Sequence, residues 1–290
     1  MKNTIFTNES TTSVVSRRIL YTPSNFAKSS LLFLQEIGEL TAKKVHTSAR
    51  EDLKSYLFFY VVSGEGKLSY KGKNHELGEG DCVFIDCNNP YSHITDENNL
   101  WTLRWCHFYG LNLPQIYHKY CERGGQPVFK PRDVKEFDDV WEFLIDTAEG
   151  NDYIRDMRLN EGFNRLLTLI MSESWNPSER NNRNSKQSEI IHVKEYLDEH
   201  FVEKITLDQL SEMFFINKFY LTRKYKEQYG MTISAYLMNL RITKAKQMLR
   251  FTEKSVEDIG HECGLGELNY FSRVFKEIEG VSPSLYRKQW

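Results

Sequence analysis

YLTRKYKEQYGMTISAY (residues 220–236) and YFSRVFKEIEGVSPSLY (residues 270–286) carry one pattern twice. At a spacing of 50, Tyr220/Tyr270, Arg223/Arg273, Tyr225/Phe275, Lys226/Lys276, Gly230/Gly280 and Tyr236/Tyr286 coincide. Upstream, TLDQLSEM (206–213) matches SVEDIGHE (255–262) at a spacing of 49, so the second copy holds one extra residue in its turn. Self-similarity at such a period marks one supersecondary unit built twice.

Each copy reads as a helix-turn-helix. Thr206 caps a first helix with Gln209 as its capping-box partner, and Ser255 with Asp258 repeats the arrangement. Leu207, Leu210 and Met213 give one apolar stripe; Val256 and Ile259 give the other. The small residues Ser211 and Gly260 sit where a second helix crosses the first closely. Asn217 is a good cap for the next helix. Tyr220, Leu221 and Tyr225, with Tyr270, Phe271 and Phe275, are expected in the core. Lys218, Phe219, Thr222, Arg223 and Lys226 then face outward in the first copy, and Leu268, Asn269, Ser272, Arg273 and Lys276 in the second. Outward Arg, Asn, Thr and Ser are the side chains that read base edges in a major groove. Lys226 and Lys276 suit phosphates or helix ends, and Leu268 suits a thymine methyl.

Between the copies, TISAYLMNLRITKAKQMLR (232–250) has neither Gly nor Pro. As one helix it is about 28 Å long, close to the roughly 34 Å between successive major grooves. Residues 217–250 hold eight Lys or Arg and one acidic residue, Glu227. The net charge of −2 for the whole chain conceals this basic face.

Moving outward, NPSERNNRNSKQS (176–188) lacks apolar periodicity and reads as a linker. It separates an N-terminal domain over 1–175 from a DNA-binding domain over 189–290. Before it, Val134, Phe137, Val140, Trp141 and Leu144 share one helical face, and Ile154, Met157, Phe163, Leu166, Leu167 and Ile170 another. These two helices pack on the β-domain or on a partner chain. Residues 31–110 have the texture of strands: YLFFYVV (56–62), KLSY (67–70), NHEL (74–77), CVFID (82–86) and LWTLRWCHFYG (100–110), punctuated by Lys71-Gly72-Lys73, GEGD (78–81) and Asn88-Asn89-Pro90. This spacing gives a small barrel or sandwich. Residues 1–30 give no clear pattern.

GLGELNYFSRVFKEIEGVSPSLYRK (264–288) resembles the signature of the AraC family of bacterial transcription regulators, and RITKAKQML (241–249) resembles its linker helix. YLFFYVVSGEGKLSYKGKNHELGEGDCVFI (56–85) is similar to the cupin-type sensing domain of that family's sugar-responsive branch. Leu265 stands where the family usually has Phe, Gly266 replaces the usual capping residue, and Phe215 occupies a turn that often holds a small or polar residue. The resemblance implies an α+β chain: a cupin-like β-barrel with two following helices, then an all-α double helix-turn-helix domain. It further implies a regulator or activator that binds double-stranded DNA, responds to a small-molecule effector such as a sugar, and dimerises through the region of 152–175. RNA polymerase is a candidate partner. A ligand pocket is implied near Arg50 and Trp105, and the barrel interior also offers His93 and His107. An aromatic face with charged and imidazole hydrogen-bonders suits a sugar.

Metal-binding cupins carry two His, a Glu and a later His. This sequence has a lone His46, no His-x-His, and no carboxylate at ligand spacing from His93 or His107. No catalytic residue, metal or cofactor is therefore expected. The rivals are a metal-dependent cupin enzyme fused to a DNA-binding domain, an architectural DNA binder without ligand, and a regulator of a non-sugar signal. Five cysteines without paired CxxC spacing, no signal-peptide pattern and no apolar run near ~18 residues make a cytoplasmic protein with reduced thiols the expectation.

Overall fold

The computed structural model describes residues 4–10, 13–174 and 186–289. The chain divides into two compact units, Met1–Ser178 and Glu179–Trp290. Of the linker expected over 176–188, residues 176–185 lie outside the described residues, and the last three already belong to a helix.

Among the described residues the N-terminal unit has two sheets. One runs β1 (Thr4–Ser10), β2 (Val14–Tyr21), β3 (Phe33–Ala42), β10 (Thr102–Tyr109), β5 (Tyr56–Ser63), β8 (Cys82–Asp86) and β11 (Val128–Phe129). The other runs β4 (Thr47–Arg50), β9 (Tyr91–Thr95), β6 (Gly66–Tyr70) and β7 (Lys73–Leu77). The pairs are antiparallel. The run YLFFYVV is continuous rather than alternating because β5 is buried on both faces. Leu57, Phe59 and Val61 join the core between the sheets, and Tyr56, Phe58 and Tyr60 the core beneath the helices. Val83 and Ile85 of β8 divide from Cys82 and Phe84 in the same way. Lys71 and Gly72 both take left-handed dihedrals, φ 49° and 72°, as the tight β6–β7 hairpin requires.

Two helices follow the strands: α3 (Lys135–Glu149) and α4 (Arg155–Ser174). They spend their apolar faces on the chain's own large sheet, where Phe137, Trp141, Phe163, Leu166 and Ile170 are buried. Helix α4 is thus a core helix. Its expected stripe begins later than the sequence pattern implied, because Ile154 and Met157 are exposed. A short α1 (Asn25–Ser30) and α2 (Leu113–Glu122) complete the unit among the described residues.

The C-terminal unit is helical: α5 (Lys186–Glu199), α6 (Leu207–Met213), α7 (Lys218–Tyr229), α8 (Ile233–Phe251), α9 (Val256–Glu262), α10 (Leu268–Glu279) and α11 (Pro283–Gln289). It holds two small cores joined by α8. Ile233 and Leu237 pack with Leu210, Leu221 and Tyr225, whereas Ile242, Ala245 and Leu249 pack with Ile259, Phe271 and Phe275. The bridging helix is therefore a shared wall of both copies.

The two copies end their second helices alike, on Gly230 and Gly280 at φ 77° and 80°. They start their first helices with one difference. In both, the N-cap hydroxyl donates to the side chain three residues on and accepts from that residue's amide, but in the first copy the Thr206 amide also donates to Gln209 Oε1 at 2.8 Å, which completes a reciprocal capping box. Glu267, not Gly266, is the N-cap of α10, and its side chain makes no capping bond. A Cβ on Gly260 would stand 3.0 Å from the Phe271 ring, which is the close crossing that favours a small residue there. Met213 lies outside the core it was expected to join, as does Tyr270, which is 42% exposed.

Phe215 holds the left-handed turn position (φ 53°) that Gly264 holds in the second copy (φ 69°). Its ring is 97% exposed, so it gains nothing from packing. Left-handed dihedrals cost a side chain roughly 1–2 kcal/mol, and glycine's extra unfolded freedom costs roughly 0.5–1 kcal/mol. Phe215→Gly is therefore expected to stabilise the C-terminal unit by about 0.5–1 kcal/mol. Urea denaturation checks this; a lowered midpoint would show that the ring supports the turn.

Candidate ligand cavity and nucleic-acid interface

The period-2 alternation of strands places one row of residues across the large sheet on its inner face. Register pairs Arg18 with Gly38, Gly38 with Trp105, and Trp105 with Phe59. The next row pairs Glu36 with His107 and His107 with Leu57. From the facing sheet, His93 pairs with Ser48, and Arg50 with Tyr91. All of these except Gly38 line one cavity of about 170 Å³. All four side chains expected from the sequence, Arg50, His93, Trp105 and His107, stand in its wall, together with Arg18, Glu36 and His46. Arg18 and Glu36 went unmarked because they lie on strands whose register the sequence did not disclose.

Gly38 lets the Trp105 ring lie flat. A Cβ there would come within 2.7 Å of that ring and 2.5 Å of the Arg17 carbonyl oxygen. Gly38→Ala is expected to push the ring into the cavity and destabilise the N-terminal unit by about 1–3 kcal/mol, the usual cost of overpacking. An unchanged thermal midpoint would show that the sheet yields instead.

The wall is a connected polar network. Trp105 Nε1 donates to Glu36 Oε1 at 3.2 Å, and the same oxygen lies 3.2 Å from Arg18 Nε. The Arg18 guanidinium sits 5.5 Å from the Trp105 ring centre. His107 Nδ1 meets the Ser55 hydroxyl at 3.1 Å, and that hydroxyl also reaches the Tyr56 carbonyl at 3.3 Å. Both contacts are satisfied when His107 Nδ1 carries the hydrogen. His93 lies against Phe59, Tyr91 and Trp101, and its Nδ1 has no hydrogen-bond partner among the described residues. Burial, then the positive fields of His46, His107 and Arg50, push the His93 pKa down to about 3. Burial, Arg50 and Arg18 push His107 down to about 4. His46 is lowered by burial and the same two arginines. Among the described residues no group of three or more His, Cys, Asp and Glu is placed to hold a metal ion.

In the C-terminal unit, Asn217 accepts the amides of Phe219 and Tyr220, which fixes the start of α7. Leu221 and Tyr225 are buried, as are Phe271 and Phe275 of α10. Lys218, Phe219, Arg223, Lys226, Leu268, Asn269, Arg273 and Lys276 are exposed, while Thr222 and Ser272 are half-buried. Lys218 is held by Asp208 at 2.7 Å, and the Thr222 hydroxyl donates to the Lys218 carbonyl at 2.9 Å. Arg223 and Arg273 share one arrangement. Each guanidinium lies over the ring of the tyrosine three residues before it, 6.0 Å from Tyr220 and 5.7 Å from Tyr270. The ring restrains the guanidinium while leaving its edge, where the donors are, open. Arg223 also reaches Glu227 loosely at 3.7 Å, whereas Arg273 has no carboxylate partner among the described residues.

The comparisons agree with this two-part layout. The family profile of an AraC-like ligand binding domain matches residues 37–189, and that of a helix-turn-helix domain matches residues 210–289. The chain is 33% identical over 276 residues to the uncharacterized HTH-type transcriptional regulator YisR of Bacillus subtilis, covering 87% of this chain and 92% of that one. It is 24% identical over 262 residues to the MmsAB operon regulatory protein of Pseudomonas aeruginosa, covering 89% and 83%. Over 121 residues it is 33% identical to the HTH-type transcriptional activator RhaS of Escherichia coli, 42% of each chain. Among solved structures, ToxT from Vibrio cholerae covers 95% of this chain and 98% of its own at 15% identity, with a TM-score of 0.33. No helix among the described residues is long and apolar enough to cross a membrane.

Proposed function

The chain belongs to the AraC family of transcription regulators, DNA-binding proteins with a ligand-binding domain, and from that premise we propose how its parts divide the work. Helices α7 and α10 enter successive major grooves on one face of the duplex. Arg223 and Arg273 read base edges. Asn269, Thr222 and Ser272 add polar contacts beside them, and Lys218, Lys226 and Lys276 face phosphates. Phe219 and Leu268, the exposed apolar residues at the helix starts, meet thymine methyls. The observation that carries this reading is the matched Tyr–Arg pair in both copies, on helices whose opposite faces are buried against a common α8.

The N-terminal cavity holds a small polar effector of the sugar class, with Trp105 as the flat apolar face and Arg50, His93 and His107 as hydrogen-bonding groups. Occupancy biases how two chains pair, and so which DNA sites a homodimer bridges. The RhaS relatives are named activators, and contact with RNA polymerase is the corresponding proposal for this chain. No catalytic role is assigned to either unit.

Selection of fragmented genomic DNA on the purified protein tests the reading. An enriched site of about 20 base pairs, with two contact blocks one helical turn apart, is expected. No enrichment with or without candidate effectors would overturn the assignment of α7 and α10 as reading helices.

A further inference from the structure

We propose that the effector is an anion: a small hydroxylated molecule bearing a carboxylate or phosphate, its charge seated beside Arg50. The inference rests on the reading that this cavity is the effector site, and it follows from the charges that face it. The groups are Arg18 on β2, Glu36 on β3, His46 before β4, Arg50 on β4, Tyr91 and His93 on β9, and His107 on β10. Glu36 is the one carboxylate in the wall among the described residues, and it is already engaged by Arg18 and by the Trp105 indole. Arg50 has no carboxylate partner among the described residues; its recorded bond is to the Ala49 carbonyl at 2.8 Å. With the histidines neutral, two arginines against one glutamate leave the wall at +1.

The field is felt across the cavity. Arg50 lowers the proton affinity of His46, His93 and His107, which stand on three different segments. A neutral ligand closing over this wall would strip water from the Arg50 guanidinium without supplying a counter-charge. A carboxylate or phosphate supplies it, with charge-assisted bonds roughly twice as strong as neutral ones. The His93 Nδ1 atom, buried and without a hydrogen-bond partner among the described residues, offers a second polar contact. A volume of about 170 Å³ suits a small ligand.

The test uses the full-length protein and follows its thermal midpoints at matched ionic strength. Acetate and inorganic phosphate are the fragment probes, and glucuronate, glucose 6-phosphate and glucose are the larger ones. The expected result is stabilisation by at least one anion and none by glucose. Arg50→Gln should weaken that anion roughly ten- to hundred-fold, the effect of losing a charge-assisted bond. This variant removes no ion pair from the fold, and it separates the cavity from phosphate bound on the basic face of the C-terminal unit. Preference for acetate and glucuronate, or for phosphate and glucose 6-phosphate, distinguishes the two anion classes. Glucose binding as well as glucuronate, with both lost in Trp105→Ala, overturns the anion and keeps the cavity as effector site. Stabilisation untouched by both Arg50→Gln and Trp105→Ala overturns the cavity as well. No stabilisation by any of the anions also overturns the proposal.

Discussion

Alanine at both Arg223 and Arg273 is expected to abolish sequence-specific DNA binding and leave the fold intact. Both side chains are solvent-exposed on helices whose cores are formed by other residues. A base-reading arginine contributes roughly 1–3 kcal/mol. The two sit in separate copies with separate small cores, so their losses should nearly add. The double variant should lose roughly 2–6 kcal/mol of specific affinity, or about 30-fold to more than 10⁴-fold. Binding to random DNA should fall far less, because it depends on total phosphate contact. The salt slope separates the readings: each arginine that contacts a phosphate takes about one unit of slope with it, and a base-reading arginine does not. Equal weakening of specific and random DNA would reduce both residues to phosphate contacts. Tyr270→Phe should behave as wild type and Tyr270→Ala should weaken specific binding, because it is the ring face that restrains Arg273.

The helix-turn-helix repeat was legible because local rules suffice there. Caps and helical spacing act within a few residues, and Thr206 and Asn217 play the parts their positions implied, while the coinciding Gly230 and Gly280 prove to end the two matching helices. Tyr270 was misjudged because alignment with Tyr220 carries no information on how far each ring is covered. The barrel was legible where an element was apolar on both faces, as in 56–62, and where turn residues marked a hairpin, as at Lys71-Gly72 between 67–70 and 74–77. Strand β2 was lost because Arg17 and Arg18 interrupt its alternation. Arg17 faces outward and Arg18 inward, and only pairing with Gly38 explains an inward arginine. The cavity residues themselves were half visible. Trp105 and His107 share parity on one strand, but Glu36 joins them through a register set by long-range pairing.

That register has a measurable acid consequence. Lowering the pH from 7 to 5 should destabilise the N-terminal unit through His93 and His107. Their folded pKa values lie near 3 and near 4, against about 6.5 in the unfolded chain. Between these limits the unfolded chain binds more protons than the folded one, so stability falls as pH falls. The window opens near pH 6.5 and closes as each histidine finally charges in the folded state. Each group contributes up to about 1.4 kcal/mol per pH unit inside it, or about 2 kcal/mol at pH 5. Both rings are half-buried and line a cavity, so water reduces the pair to about 2–3 kcal/mol. Urea midpoints measured against pH for the wild type and for His93→Gln/His107→Gln isolate this contribution from carboxylate titrations common to both. The wild-type curve should slope more steeply between pH 6.5 and 5, and parallel curves would mean that neither ring is held neutral. A bound anion supplies the counter-charge that Arg18 and Arg50 deny these rings. An anion beside the rings raises their folded pKa values, so the slope between pH 6.5 and 5 should become shallower when an anionic effector is present and stay unchanged with a neutral one.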